Sequence, residues 1–185
     1  MRQLSSLKNQ LLIAMPQLQD SWFEGTVTYL CEHDEHGAMG LVLNKPTNID
    51  FAQVCDQLDI FRQPQINPAM LSGGPVSSEQ GFILHNQQTD YQATLTVSPI
   101  ARLTSSKDIL VAIGKGEGPL AYRLALGYAG WSAGQLDEEI LANSWLNVEA
   151  DEELLFHTPT DQLYQTALAR LGVSAAMLSD QAGHA

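Results

Sequence analysis

Three glycine-bearing clusters constrain this chain more than any other feature. They are Gly37-Ala38-Met39-Gly40-Leu41-Val42-Leu43-Asn44-Lys45-Pro46-Thr47, Leu71-Ser72-Gly73-Gly74-Pro75-Val76 and Leu126-Gly127-Tyr128-Ala129-Gly130-Trp131-Ser132-Ala133-Gly134-Gln135-Leu136. Glycine weakens regular structure and is useful where the backbone needs φ > 0 or a close approach. Three such clusters in one small chain predict turns built from backbone, gathered into a shared site. Few catalytic side chains accompany them, so they point to a place and not to a reaction.

Length and charge narrow the function classes. A chain of 185 residues predicts one compact domain over 1–185, with a small polar tail from residue 174 onward. It buries roughly 70% of its unfolded surface and needs no disulfide or metal staple. No apolar run reaches the roughly 20 residues of a membrane span. Leu11-Leu12-Ile13-Ala14 is too short for a secretory core, so it reads as a buried first strand in a cytoplasmic protein. The net charge is -12, and no two of the nine Lys and Arg are adjacent. That field opposes direct contact with nucleic acid or an anionic membrane. Cys31 and Cys55 form no C-x-x-C pair and read as small buried hydrophobes.

The pattern along the chain predicts an α+β domain. Thr26 to Cys31 and Met39 to Leu43 read as a hairpin joined through His33-Asp34-Glu35-His36-Gly37. Asp50 caps a helix from Phe51 to Ile60, with Phe51, Val54, Cys55 and Leu58 on one face. A strand enters the Ser72-Gly73-Gly74-Pro75 turn, and Phe82 to His85 and Ala93 to Val97 follow as strands. Ser105 or Ser106 opens a helix that Gly114 ends, and Pro119 starts another through Ala125. Leu126 to Trp131 reads as a buried strand and Gln135 to Asn143 as a helix with acids in its first turns. Leu154-Leu155-Phe156 reads as a late strand, and a last helix runs from Pro159 to Leu171, ended by Gly172. Strands are expected early and most helices later.

Taken in order, these clusters resemble the AlgH/YqgE family of bacterial proteins. Leu11-Leu12-Ile13-Ala14-Met15-Pro16, Cys31-Glu32-His33, Ser72-Gly73-Gly74-Pro75-Val76, Gly81-Phe82-Ile83-Leu84-His85, the Gly127 to Leu136 block, Glu139-Ile140 and Trp145-Leu146 carry the likeness across nearly the whole chain. The resemblance implies a mainly antiparallel sheet curled into a partial barrel, with helices packed outside. Some members of the family carry the label of transcriptional regulator, and the family has no established molecular function. The chain departs from the family pattern at Phe23-Glu24-Gly25-Thr26, where basic residues and a serine are usual after the phenylalanine.

Each chemical motif has a simpler structural reading. Gly130-Trp131-Ser132-Ala133-Gly134 matches a G-x-S-x-G nucleophile elbow in the strand–turn–helix setting that motif needs. Asp151 or Asp161 with His157 or His184 would complete a triad, yet a plain strand-to-helix turn is favoured. Cys31, His33, Asp34 and His36 lack the second cluster a zinc site requires and read as hairpin residues. Gly114-Lys115-Gly116-Glu117-Gly118 lacks the hydroxyl residue of a phosphate loop and reads as a helix-to-helix connection. Gly73 or Gly74 is expected at φ > 0, with Pro75 restricting Gly74.

The sequence thus predicts a non-enzymatic binding or regulatory protein, with no metal and no cofactor. Its ligand is a small molecule or a protein, and any transcriptional role is indirect. The expected site joins Asn44, Lys45, Ser72, Gly73, Gly74, Pro75, Gly127, Trp131, Gly134 and Gln135. The alternative is a hydrolase using Ser132.

Overall fold

Leu11, Leu12 and Ile13 are fully buried, so the first strand has neighbours on both edges and both faces. In the computed structural model, which describes residues 5–18, 20–86, 89–174 and 176–178, this strand is β1 (Gln10–Ala14). It pairs antiparallel with β2 (Val27–Asp34) on one edge and with β9 (Trp145–Glu149) on the other. The hairpin expected next is present. β2 turns through Glu35 and His36 into β3 (Gly37–Val42), with a bulge between Leu30 and Glu32 that bends the ribbon.

Helix α1 (Phe51–Leu58) starts where Asp50 predicted it. The Asp50 carboxylate accepts from Gln53 N, and the Gln53 side chain accepts from Asp50 N, a reciprocal capping box. Phe51 and Cys55 are its buried face, while Leu58 lies at the surface. After β4 (Met70–Ser72) come β5 (Val76–His85), β6 (Thr94–Ser98) and β7 (Ala101–Thr104). Helix α2 (Lys107–Gly114) packs Ile109, Leu110 and Ile113 with α1 against the sheet. The long β8 (Tyr122–Ser132), α3 (Gln135–Leu141), β9 and α4 (Leu163–Arg170) complete the chain.

The nine strands of the described residues join one sheet in the order β6-β7-β5-β8-β3-β2-β1-β9, with β4 beside β8 off that path. Every pairing on the path is antiparallel, and only β4 runs parallel to its partner. β8 organises the whole. Its one edge holds β5, while its other edge holds β4 at Leu124–Leu126 and β3 at Ala129–Ser132. The sheet curls into a half-barrel around a core of Tyr29, Leu41, Leu84, Leu103, Leu155 and their neighbours. The fold is α+β, as the sequence implied, although the helices are interspersed among the strands and not gathered after them.

Three local expectations fail, and two strands went unforeseen. Pro119 opens no helix, because Tyr122 to Ala125 pair with His85 to Phe82 as the first half of β8. Leu and Ala favour helix in isolation, but two strand partners override that weak preference. The Gly114 to Gly118 segment therefore joins a helix to a strand, and Gly114 is the last helical residue, with Lys115 following as the cap. A side chain at Gly114 would meet the Phe61 carbonyl oxygen at 2.2 Å, so the glycine serves close packing. Leu154-Leu155-Phe156 is no strand but part of one π-helical turn, Glu153–His157. Arg123 holds that turn, its Nε donating to Leu155 O at 3.0 Å and a terminal nitrogen to Thr158 O at 2.7 Å. β7 and β9, short and interrupted by polar residues, carry too little alternation to be read from sequence.

Candidate functional site

The polar pair at the exit of β3 is committed to a neighbouring loop. Asn44 Oδ1 accepts from Val27 N at 2.8 Å and its Nδ2 donates to Gly25 O at 2.9 Å. Lys45 Nζ donates to Trp22 O at 2.8 Å and lies 3.6 Å from the centroid of the Trp22 ring. Burial lowers the Lys45 pKa, and Asp20 partly offsets this. Both side chains therefore secure residues 22–27, which include the Phe23-Glu24-Gly25-Thr26 departure from the family pattern. Gly25 takes φ +72 there, the left-handed conformation that suits glycine.

The Ser72-Gly73-Gly74-Pro75 corner lies flat on β8. Ser72 N donates to Lys45 O at 2.7 Å, Gly73 N to Leu126 O at 2.8 Å, and Gly73 O accepts from Val42 N at 2.9 Å. A methyl carbon at Gly73 would meet Gly127 O at 2.5 Å, and one at Gly74 would stand 1.8 Å from the Tyr128 carbonyl carbon. Neither glycine has positive φ, contrary to the turn expected from sequence. Their role is close approach. Gly127 supplies the positive φ instead, at +79, with Gly74 O packed beneath it.

An irregularity lies opposite that interlock. Val76 pairs with Tyr128 and Gly81 with Leu126, so β5 spends more residues than β8 between the two pairs. The excess, Ser77 to Gln80, bulges outward and is exposed, with Ser77 itself at φ +49. No glycine marked this bulge in the sequence.

Trp131 belongs to an aromatic cluster under the far end of β8. Its ring centroid is 6.4 Å from Phe23 and 5.9 Å from Trp145, and Phe23 touches Trp22 at 4.8 Å. Lys45, Trp22, Phe23 and Trp131 thus form a continuous relay between two of the expected clusters. Gly134 takes φ 76 ahead of α3, and Gln135 Oε1 accepts from Ser132 N at 3.0 Å. Ser132 Oγ reaches the same Gln135 Oε1 at 3.3 Å, its one side-chain partner among the described residues. His33, on the neighbouring ribbon, is engaged at both nitrogens. Its Nδ1 accepts from Leu7 N at 2.9 Å, so Nε2 carries the proton donated to Asp137 Oδ1 at 2.8 Å. Of the triad partners proposed for Ser132, His184 lies outside the described residues, and Asp151 pairs with Arg170.

The expected clusters are contiguous, but backbone packing fills the space between them. The open space lies beside them. A groove of about 880 Å³ runs across the mouth of the half-barrel, from Met39 on β3 past Tyr128 and Trp131 on β8 to Leu95 on β6. Phe82 forms part of it, Ser77 and Gln80 of the bulge rim it, and Glu32 is the charged residue along it. Only Trp131 among the expected site residues lines this groove. Cys31 and Cys55 are buried and free, and burial pushes both thiols up. Among the described residues no three His, Cys, Asp or Glu side chains gather as metal ligands. No helix of the described residues is long and apolar enough to cross a membrane.

A protein of known structure shares this fold. The solution structure of AlgH from Pseudomonas aeruginosa is 44% identical, with a TM-score of 0.79 over 100% of both chains. A crystal structure of a Corynebacterium diphtheriae protein shares the fold at 20% identity and a TM-score of 0.70, covering 92% of this chain and 90% of that one. A UPF0301 protein of Ralstonia nicotianae is 50% identical over 182 residues, 97% of this chain and 96% of its own. The AlgH-like family profile spans residues 11–176, from the buried first strand to beyond the last helix, and this chain belongs to the AlgH-like family.

Proposed function

We propose that this protein is a non-enzymatic binding protein, and that it takes a segment of a partner protein into the groove at the mouth of the half-barrel. The observation that carries the reading is the groove itself. It is broad, open and walled by Met39, Phe82, Leu95, Tyr128 and Trp131, with neutral Ser77 and Gln80 on its rim. Aromatic and methionine side chains in an open trough suit a polypeptide better than an enclosed metabolite. A regulatory role in transcription would run through such a partner, because a net charge of -12 repels a phosphate backbone.

A photo-crosslinking amino acid at Gln80 tests this in cells. The expected result is one dominant partner band, abolished by Met39→Glu and Tyr128→Ala and absent when the crosslinker sits at exposed Leu141. Equal capture from position 141, or capture that survives both groove substitutions, overturns it.

The hydrolase reading of Ser132 has the strand–turn–helix setting, but Gln135 occupies the position an imidazole would take. Labelling by a fluorophosphonate probe that Ser132→Ala abolishes would reinstate it.

A further inference from the structure

The Ser77–Gln80 bulge has two sides. Ser77 and Gln80 face the groove, while Ser78 and Glu79 line a separate cavity of about 460 Å³ between the two helices α1 and α2 and the sheet. The cavity has a graded lining. Its floor is Met70, Ile83, Leu124 and Leu126, all buried, and its walls include Val54 of α1 and Leu110 of α2. Gln57, Ser78 and Glu79 stand exposed at the rim, and none of their side chains makes a hydrogen bond or ion pair with a described residue.

We infer that this cavity binds an aliphatic amphiphile with a protonated amine head, the chain on the Met70–Leu126 floor and the ammonium at Glu79. Three observations specify the class. The volume lies within the range of small-molecule sites, roughly 300–1,000 Å³, and such sites combine an apolar body with a few polar groups. Among the described residues no aromatic ring lines the cavity, so none of them stacks on a planar ligand; branched aliphatic walls and a pliable methionine fit an alkyl chain. The charge at the rim is a carboxylate, with no cation beside it among the described lining residues, set in a chain of net charge -12. That field attracts an ammonium and repels a carboxylate or phosphate head. Gln57 and Ser78 offer further acceptors for the N–H groups that Glu79 leaves unpaired.

Decylamine and decanoate, matched in chain and opposite in head charge, test the assignment at submicellar concentration with the full-length protein. Decylamine is expected to bind at least 10-fold more tightly and to shift the methyl NMR signals of Met70, Ile83 and Leu126. Glu79→Gln, a change at an exposed and unpaired side chain, should leave the unliganded melting temperature in place and erase the preference. Equal binding of the two probes, binding of neither, or a preference that survives Glu79→Gln overturns the inference. So does a pattern of shifts confined to Met39, Leu95 and the groove.

Discussion

Gly74 rests against the peptide group of Tyr128 with no space for a side chain: a methyl carbon there would lie 2.0 Å from Tyr128 O. This contact seats the β4–β5 corner on β8, next to the register shift of β5. Gly74→Ala must displace backbone, not the flexible end of a side chain. The expected loss of stability is at least about 1–3 kcal/mol, the usual cost of overpacking a filled site. Gly134→Ala is the informative contrast, since open space surrounds Gly134 and only its φ of +76 resists a side chain. Urea melts of the two variants check the order, with Gly74→Ala the more damaging.

Arg123 is half-buried, and burial lowers its pKa. Its partners are carbonyl oxygens of the π-helical turn, Leu155 and Thr158, and among the described residues it has no ion pair. Arg123→Met keeps much of the volume and removes both bonds. Hydrogen bonds from a charged donor contribute roughly 1.5–3 kcal/mol each, so the turn should loosen. Amide exchange across residues 153–158 is expected to accelerate before any change in the β1–β9 ladder.

Asp151 caps the same turn by accepting from Leu154 N at 2.8 Å, and it pairs with Arg170. Burial alone would raise its pKa, but the Leu154 N–H, the Arg170 guanidinium and the Glu153 N–H together hold it below the ordinary value. A depressed carboxylate pKa means the folded form binds the proton less readily than the unfolded one. Its contribution is complete above the unfolded pKa, about 3.9 for aspartate, and is lost as pH falls through the lower folded value. The pair is well exposed and screened by solvent, so the effect is small. The stability gap between wild type and Asp151→Asn should be visible at pH 7 and should close in acid below that window.

Cys31 sits inside the half-barrel and Cys55 on the buried face of α1. Burial raises both pKa values, for Cys31 with help from the Glu32 carboxylate. Neither thiol should react with an Ellman-type reagent in the native protein, and both should react within the unfolding transition. Fast labelling of one thiol below that transition would place it at the surface.

What was legible in the sequence was local. The Asp50 helix cap, the Leu11–Ala14 run and the hairpin turn through Glu35 and His36 each involve residues a few positions apart. The family likeness supplied the curled sheet. What escaped depended on distant partners. Tyr122 to Ala125 look helical until β5 and β4 claim their edges. Asn44 and Lys45 look like ligand groups until the 22–27 loop claims their side chains. Gly73 and Gly74 suggested left-handed turns because a sequence cannot distinguish a glycine needed for φ from one needed for contact. The two cavities were not legible at all, since the bulge between them begins at a serine with positive φ and no glycine to announce it.

The position of β1 has a consequence for how this chain is made. β1 is synthesised before the other described strands, yet one of its two edges is completed only by β9, whose Trp145–Glu149 pair with Ala14–Gln10. Until the ribosome has released that late segment, Leu11 to Ala14 present an apolar strand with an open edge. Such an edge recruits other chains. Vectorial synthesis therefore leaves that edge open from the emergence of β1 to the emergence of β9, and a chaperone that holds the Leu11–Ala14 segment until β9 arrives would protect it at the point of greatest hazard.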